Sequence, residues 1–166
     1  MTLRELQAPI KEHYKADPHA AQITLRATGS TGDSVLACNV DLGRALYAAG
    51  ANAGVGGDGS AACSGDLLLG ALAACAQLTC QMVAANMGLD VKVTVTVEGD
   101  LDLRGTLGTP DVPVGLEAIR VTFGVDGEIA PERLEKLVER TEKYCVVLQT
   151  LLVPPAIHAS WATSAA

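Results

Sequence analysis

The chain has 166 residues, of which 49% are hydrophobic and 3% aromatic, so it can bury one sizeable aliphatic core and global disorder is excluded. Its formal net charge of −7, with one Trp and one Phe, argues against nucleic-acid binding, because the charge repels phosphate and few rings remain for base stacking. Residues 1–19 lack the apolar segment of a secretory signal, and the five cysteines are an odd number. We therefore expect a cytoplasmic protein with reduced thiols.

The N-terminal part of the chain is predicted to contain a helix and a β-hairpin. Residues 2–16 have an amphipathic pattern that predicts a short helix, interrupted near Pro9 and ended by the Asp-Pro pair that follows. Strand-like runs at residues 21–27 and 34–40 flank a turn at residues 29–32, which is typical of a hairpin.

A glycine-rich loop at residues 50–59 follows an expected helical turn at residues 42–49. Gly54, Gly56 and Gly59 have the G-x-G-x-x-G spacing, but a dinucleotide site also needs a strand before the loop and a helix that opens on it. Here a helical segment precedes the loop. We therefore expect a mobile loop that borders a site rather than a nucleotide-binding loop.

The next segment predicts one long helix. Ser64 is expected to be its N-cap and Asp66 places a negative charge in its first turn, while Gly88 follows the expected end near Met87. The apolar run at residues 67–89 is long enough to span a membrane. It also contains four polar side chains, at Gln77, Thr79, Gln81 and Asn86. We therefore expect a buried core helix and no membrane span.

The second half of the chain predicts strands and a second long helix. Valines alternate with polar residues at 91–98, and a similar alternation recurs at 119–125 after a loop rich in glycine and proline at 105–115. A helix is predicted from Pro131 to Leu152, with apolar residues at steps of three and four. Residues 157–161 predict a last short strand. Strands around two long helices indicate an α+β fold.

The cysteines are the candidate reactive groups. A free buried cysteine is most simply a small hydrophobic core residue, and we interpret Cys38 and Cys80 in this way. Cys75 lies in the middle of the first long helix and Cys145 on the inward face of the second, so two facing helices could bring these thiols within disulfide range. Cys63, at the start of the first helix, is expected to line the mouth of such a site.

Two neighbouring thiols can carry out peroxide chemistry. A peroxide oxidises a thiolate to a sulfenic acid, a second thiol converts it to a disulfide, and a dithiol restores the pair. An apolar pocket would favour organic hydroperoxides. Activation of Cys75 needs a nearby cation, for which Arg26 and Arg44 are candidates within the chain or across a dimer, although each taken singly is more simply a solvated surface residue. Asp66 is most simply a residue that complements the helix dipole.

No metal or cofactor is expected. The sequence has no CxxC or HExxH motif, and its histidines are scattered at positions 13, 19 and 158.

Several stretches together resemble the OsmC/Ohr superfamily of organic hydroperoxide reductases. The first is residues 66–79, an acidic residue followed by an apolar stretch with an Ala-Cys pair. It is followed by the acidic motif at 98–105, the Val-Pro-Val-Gly stretch at 112–115 and the second cysteine within 141–151. The resemblance covers about residues 59–155.

This resemblance implies a single domain over residues 1–166, with residues 1–20 as an N-terminal helical extension. It implies an intertwined homodimer in which curved antiparallel sheets wrap around two long central helices, with two sites at the interface. Cys75 would be the peroxidatic thiol and Cys145 the resolving thiol. A dithiol such as dihydrolipoamide would be the reductant, and the role would be defence against oxidative or osmotic stress.

Three positions depart from the family pattern. Ser64-Gly65 replaces a Pro-Glu pair, Thr31 lies near the position of an arginine, and Val146 replaces a proline. The first two departures remove the expected cation beside the thiolate and indicate an OsmC-like branch with a different or weaker activity. A non-enzymatic binding protein for a small hydrophobic ligand is the alternative function, and a purely structural dimer is a third.

Overall fold

The computed structural model describes the backbone of residues 3–31, 38–41, 51–57, 59 and 62–161, and the side chains of residues 8–24, 41, 51–57, 59 and 62–161. The helices are α1 (Leu3–Ala16), α2 (Ser64–Asn86), α3 (Leu103–Thr106), α4 (Pro131–Tyr144) and α5 (Val146–Leu152). The strands are β1 (Gln22–Thr31), β2 (Cys38–Asp41), β3 (Lys92–Asp102) and β4 (Ala118–Asp126). Short 3₁₀ turns lie at Pro18–Ala21 and Ala53–Val55. The α+β class predicted from the sequence is confirmed.

The described strands form one antiparallel sheet with the order β2-β1-β3-β4. β3 lies inside the sheet between β1 and β4, and one of its faces is buried, as its alternating pattern predicts. Val93, Val95 and Val97 are at most 2% exposed on the inner face, whereas Lys92 and Thr94 are exposed on the outer face. The strand continues beyond the alternating valines to Asp102, because its far half pairs with both β1 and β4.

The N-terminal hairpin differs from the prediction in its turn. β1 and β2 are antiparallel as predicted, but Gly29 and Thr31 pair with Val40 and Cys38, so the expected turn at residues 29–32 is part of the strand. Tertiary pairing with β3 extends β1 through this stretch. The connection falls within residues 32–37, which lie outside the described residues, as does the helical turn expected at residues 42–49.

Helix α1 is not interrupted at Pro9, contrary to the prediction. Its second half is held by packing, because Tyr14 is 7% exposed and forms a small core with Ala21 and Leu103. The helix ends at Ala16, and Asp17 accepts a hydrogen bond from the His19 N–H at 3.1 Å to begin the following turn. This end is as predicted from the Asp-Pro pair.

Helix α2 is buried between the sheet and the other helices. Its core residues include Leu69, Leu72 and Ala76, all 0% exposed. Gln77 is also 0% exposed, and its side chain donates to the Val93 carbonyl at 2.8 Å and accepts from the Val95 N–H at 2.9 Å. The helix is long and apolar enough to cross a membrane by length and composition, but 61% of its apolar window is buried in the molecule. Its contacts are those of a core helix.

The two ends of α2 are fixed by polar contacts. Its N-cap is Cys63 rather than the predicted Ser64, and the Asp66 carboxylate accepts a hydrogen bond from the Cys63 N–H at 2.8 Å. At the other end, Gly88 has a positive φ of 62°, which glycine adopts at little cost. Arg133 on α4 donates to the Met87 carbonyl, where a cation complements the helix dipole.

The second long helix is broken, which the sequence did not predict. α4 ends at Tyr144, Cys145 has φ −73° and ψ 103°, and α5 begins at Val146. The strand expected at residues 157–161 is also not formed in the described chain, where Ile157 and Trp161 are 86% and 87% exposed. A strand needs a neighbouring edge to pair with, and none of the described strands pairs with this segment.

Candidate functional site

Cys75 and Cys145 lie side by side in the structure. Cys75 is in the middle of α2, and Cys145 occupies the junction between α4 and α5, both of which pack against α2. The side chain of Cys145 is hydrogen bonded to that of Cys75, and both cysteines are free thiols. The approach of these two residues, which the sequence suggested, is therefore present in the fold.

The two thiols differ in exposure. Cys145 is 0% exposed, whereas Cys75 is only partly buried. A reagent that arrives from solvent therefore meets Cys75 first. A reagent can reach Cys145 only through Cys75 or after the surrounding chain moves.

Burial also affects the protonation of Cys145. The pKa of Cys145 is raised from an ordinary 9.0 to about 11, mainly by burial and also by the neighbouring Cys75, while the backbone N–H groups of Leu148 and Val147 act in the opposite direction. An apolar environment disfavours the charged thiolate, which explains the direction of the effect. Cys145 therefore keeps its proton at neutral pH.

The backbone around Cys145 shows how the junction is built. The Cys145 N–H donates to the Thr141 carbonyl at 2.9 Å, and its own carbonyl accepts from the Gln149 N–H at 2.9 Å. Cys145 is thus both the C-cap of α4 and the N-cap of α5. Sequence periodicity missed this junction because the apolar spacing continues across it. The only local signal is the pair of β-branched residues, Val146 and Val147, which have lower helix propensity.

Cys80 has the surroundings of a core residue, in line with its interpretation from the sequence. It is 0% exposed, burial raises its pKa, and a hydrogen bond with Thr141 acts in the opposite direction. Cys38 belongs to β2, but its side chain lies outside the described residues.

Cys63 borders a different part of the molecule from the thiol pair. It lines a cleft of about 250 Å³ that also includes Asn52 and Val55 of the glycine-rich loop and Leu103 of α3. Twelve helical positions separate Cys63 from Cys75, which is about 18 Å along α2 at 1.5 Å per residue. Within one chain, Cys63 therefore does not line the mouth of the Cys75 site, contrary to the expectation from sequence.

The supporting charged residues are placed as follows. Asp66 lies in the first turn of α2, where its carboxylate accepts a hydrogen bond from the Cys63 N–H. It therefore stabilises the start of the helix, which is the simpler of the roles expected from the sequence. Arg26 stands opposite Glu98 in the pairing of β1 with β3, but its side chain lies outside the described residues, as does the whole of Arg44. The identity of a cation beside Cys75 stays a prediction.

The acidic motif at residues 98–105 forms ion pairs rather than a reactive centre. Asp102, which is 3% exposed, binds the Arg104 side chain and also accepts from the Arg104 N–H at 2.9 Å. Asp100 binds Arg120 and accepts from the Thr24 hydroxyl at 2.8 Å. These hydrogen bonds, with that from Arg120 first, lower the pKa of Asp100 to about 2. The motif therefore fixes the end of β3 and its neighbours.

The described part of the glycine-rich loop does not have the geometry of a dinucleotide site. It forms the 3₁₀ turn at Ala53–Val55, in which the Asn52 side chain accepts from the Gly54 N–H at 2.9 Å. The Tyr14 hydroxyl donates to the Gly54 carbonyl at 2.8 Å. A Cβ at Gly54 would lie 2.2 Å from a methyl group of Leu103. Glycine is needed here for close packing against α1 and α3.

A metal centre is not formed by the described residues, since they contain no group of three or more His, Cys, Asp or Glu side chains able to hold an ion.

Comparison with known proteins identifies the family. A search of curated proteins finds no match to this sequence. The family model described as OsmC-like protein matches residues 57–159, which is more than half of the chain and includes every element from α2 to α5. Both thiols of the pair lie inside the match, and α1, β1 and β2 precede it. The chain therefore belongs to the OsmC-like protein family.

Proposed function

We propose that this protein is a thiol-dependent peroxidase that reduces organic hydroperoxides through Cys75 and Cys145 in defence against oxidative or osmotic stress. The observation that carries the proposal is the direct contact between two free thiols from separate helices. Membership of the OsmC-like family, which indicates a stress-related, peroxidase-type function, supports it.

The first step takes place at Cys75, the more accessible thiol. Its thiolate attacks the outer oxygen of the hydroperoxide, so that an S–O bond forms and the O–O bond breaks. Cys75 is oxidised to a sulfenic acid. The leaving alkoxide takes up a proton and departs as the alcohol.

The second step joins the two sulfur atoms. The sulfur of Cys145 attacks the sulfenic sulfur of Cys75, the S–O bond breaks, and the hydroxyl group leaves as water with the proton that Cys145 loses. The contact between the two side chains means that this step needs no large movement. The product is a disulfide between α2 and the α4–α5 junction.

The third step returns the protein to its dithiol form. A dithiol of the dihydrolipoamide type attacks the Cys75 sulfur, which is partly exposed, and Cys145 leaves and regains its proton. The second thiol of the reductant then displaces Cys75 and closes the oxidised reductant. Two electrons pass from the reductant to the protein, which balances the two consumed by the peroxide.

The surface around Cys75 favours an apolar substrate. Leu68 and Met82 are 40% and 39% exposed and lie on the same side of α2 as Cys75 by their helical spacing. On α5, Val146 is 70% exposed and Leu152 65%. An organic hydroperoxide can bury its tail on these side chains, whereas hydrogen peroxide gains nothing from them.

The same surface supports the proposal of a homodimer. Exposed apolar side chains on α2 and α5, such as these, are typical of a surface that another protein covers. A second copy of the chain would enclose the mouth of the site and could supply Arg26 or Arg44 to Cys75. We place this dimer in the cytoplasm, where thiols remain reduced.

The alternative function, non-enzymatic binding of a small hydrophobic ligand, uses the same surface without thiol chemistry. It differs from the peroxidase in one measurable respect, because ligand binding would raise the melting temperature equally in the presence and absence of the Cys75 thiol.

The test is a cumene hydroperoxide assay with a dithiol reductant, combined with mass spectrometry of the oxidised protein. We expect the wild type to turn over and to form a Cys75–Cys145 disulfide. Cys75→Ser should abolish turnover, Cys145→Ser should stop at the sulfenic acid, and Cys80→Ser is the matched control for a buried thiol and should behave as the wild type. A treated wild-type protein in which both thiols remain free would refute the proposal.

A further inference from the structure

We infer that Gln149 is a positioning residue for the second thiol, because its side chain holds the break between α4 and α5 that places Cys145 beside Cys75. This role for Gln149 rests on the proposed function, in which Cys75 and Cys145 form a disulfide. The side chain of Gln149 donates its hydrogen bond to the Glu142 carbonyl and not to either sulfur atom.

The break is not imposed by the local sequence. After Pro131 at the start of α4, residues 132–152 contain no proline and no glycine. The apolar residues also continue at helical spacing through Cys145, so a single straight helix would keep the same face turned inward. A continuous helix is therefore the competing conformation that the folded protein must disfavour.

Gln149 compensates a hydrogen bond that the break removes. In a continuous helix the Glu142 carbonyl would accept the N–H of Val146, four residues later. In the structure the Glu142 carbonyl accepts the side-chain amide of Gln149 at 3.0 Å. The amide thus links the last turn of α4 to α5 and stabilises only the broken form.

The broken form determines where the Cys145 sulfur lies. Cys145 has ψ 103°, about 145° from the helical value near −42°. This rotation turns the chain between the two helices, and in this form the Cys145 side chain is fully buried and hydrogen bonded to Cys75. A shift towards the straight helix would reorient the junction and weaken that contact.

The test separates the sulfur–sulfur step from the peroxide step. Gln149→Leu removes the amide but keeps the size of the side chain. We expect it to lower the equilibrium constant for Cys75–Cys145 disulfide formation in dithiothreitol redox buffers, and to slow disulfide closure after a pulse of cumene hydroperoxide. Both changes should be between about two- and tenfold, as expected for one hydrogen bond. Formation of the sulfenic acid, trapped with dimedone, should be unchanged.

Two further variants distinguish positioning from general stability. Val146→Pro in the Gln149→Leu background should restore the equilibrium constant and the closure rate, because proline at the first position of α5 prevents a continuous helix and favours the extended conformation of Cys145. Thr150→Val is the matched control. It removes a side-chain hydrogen bond to the Val146 carbonyl within α5 and should leave both quantities as in the wild type.

The outcomes separate the two proposals. A Gln149→Leu protein with an unchanged equilibrium constant, or one that Val146→Pro does not rescue, overturns the role of Gln149. If the wild type forms the disulfide in redox buffers but not with the peroxide, the peroxidase proposal fails while the Gln149 effect is still measured. If the wild type forms no disulfide in either condition, both proposals fail.

Discussion

The buried proton of Cys145 predicts that the protein loses stability at alkaline pH. The folded state raises the pKa of Cys145 from 9.0 to about 11, first because of burial and then because of Cys75. The folded protein therefore binds this proton more tightly than the unfolded chain does. The resulting stabilisation is fully present below pH 9 and is lost as the pH rises towards 11.

The magnitude follows from the two pKa values. A difference of 2 pKa units, from 9.0 to about 11, corresponds to about 2.7 kcal/mol at 1.36 kcal/mol per unit. At pH 10.5 the loss should have reached about 1.9 kcal/mol. Because Cys145 is 0% exposed, solvent screening reduces this value little.

The assay is urea unfolding under reducing conditions at pH 8 and pH 10.5, for the wild type and for Cys145→Ala. Lysines and tyrosines also titrate in this range, but their contributions cancel in the difference between the two proteins. We expect the free energy of unfolding of the wild type to fall by about 1.9 kcal/mol more than that of Cys145→Ala. Cys75→Ala should keep most of the alkaline loss, since burial is the main cause. Parallel pH profiles for the wild type and Cys145→Ala would refute the reasoning.

Three further predictions concern the scaffold of the site. Gln77→Leu removes the three hydrogen bonds of a fully buried amide and should lower the free energy of unfolding by about 2–4 kcal/mol in urea titrations. Asp66→Ala removes the acceptor for the Cys63 N–H and should cost about 1 kcal/mol while the rate of sulfenic acid formation stays at the wild-type value. Met82→Glu should convert the proposed homodimer to a monomer in light scattering, because it places a charge on the exposed apolar side of α2.

The parts of the fold that could be predicted from sequence are those with a local cause. The valines of β3 alternate because one face is buried, Pro131 begins α4 because its missing N–H costs nothing there, and the prolines after Val153 prevent α5 from continuing. The contact between Cys75 and Cys145 could also be predicted, because Cys145 lies on the inward face of a segment that must pack against the helix that carries Cys75.

Two of the errors have a different origin, since tertiary contacts overrode the local pattern. Pairing with β3 converted the expected turn after Gly29 into strand, and the packing of Tyr14 kept α1 continuous through Pro9. At Cys145 the apolar periodicity was correct but the conclusion of one helix was wrong. Periodicity reports which face is buried, and it does not report whether the backbone between two buried residues is straight.

The break at Cys145 also explains how one sequence can give two neighbouring thiols different exposure. Cys75 lies within a helix that retains an exposed apolar side, so its sulfur stays partly accessible. Cys145 is itself fully buried at the junction, and burial raises its pKa, so it keeps its proton. In the proposed mechanism the order of attack follows from this packing, because Cys75 is the accessible sulfur and Cys145 holds the proton that the departing hydroxyl needs.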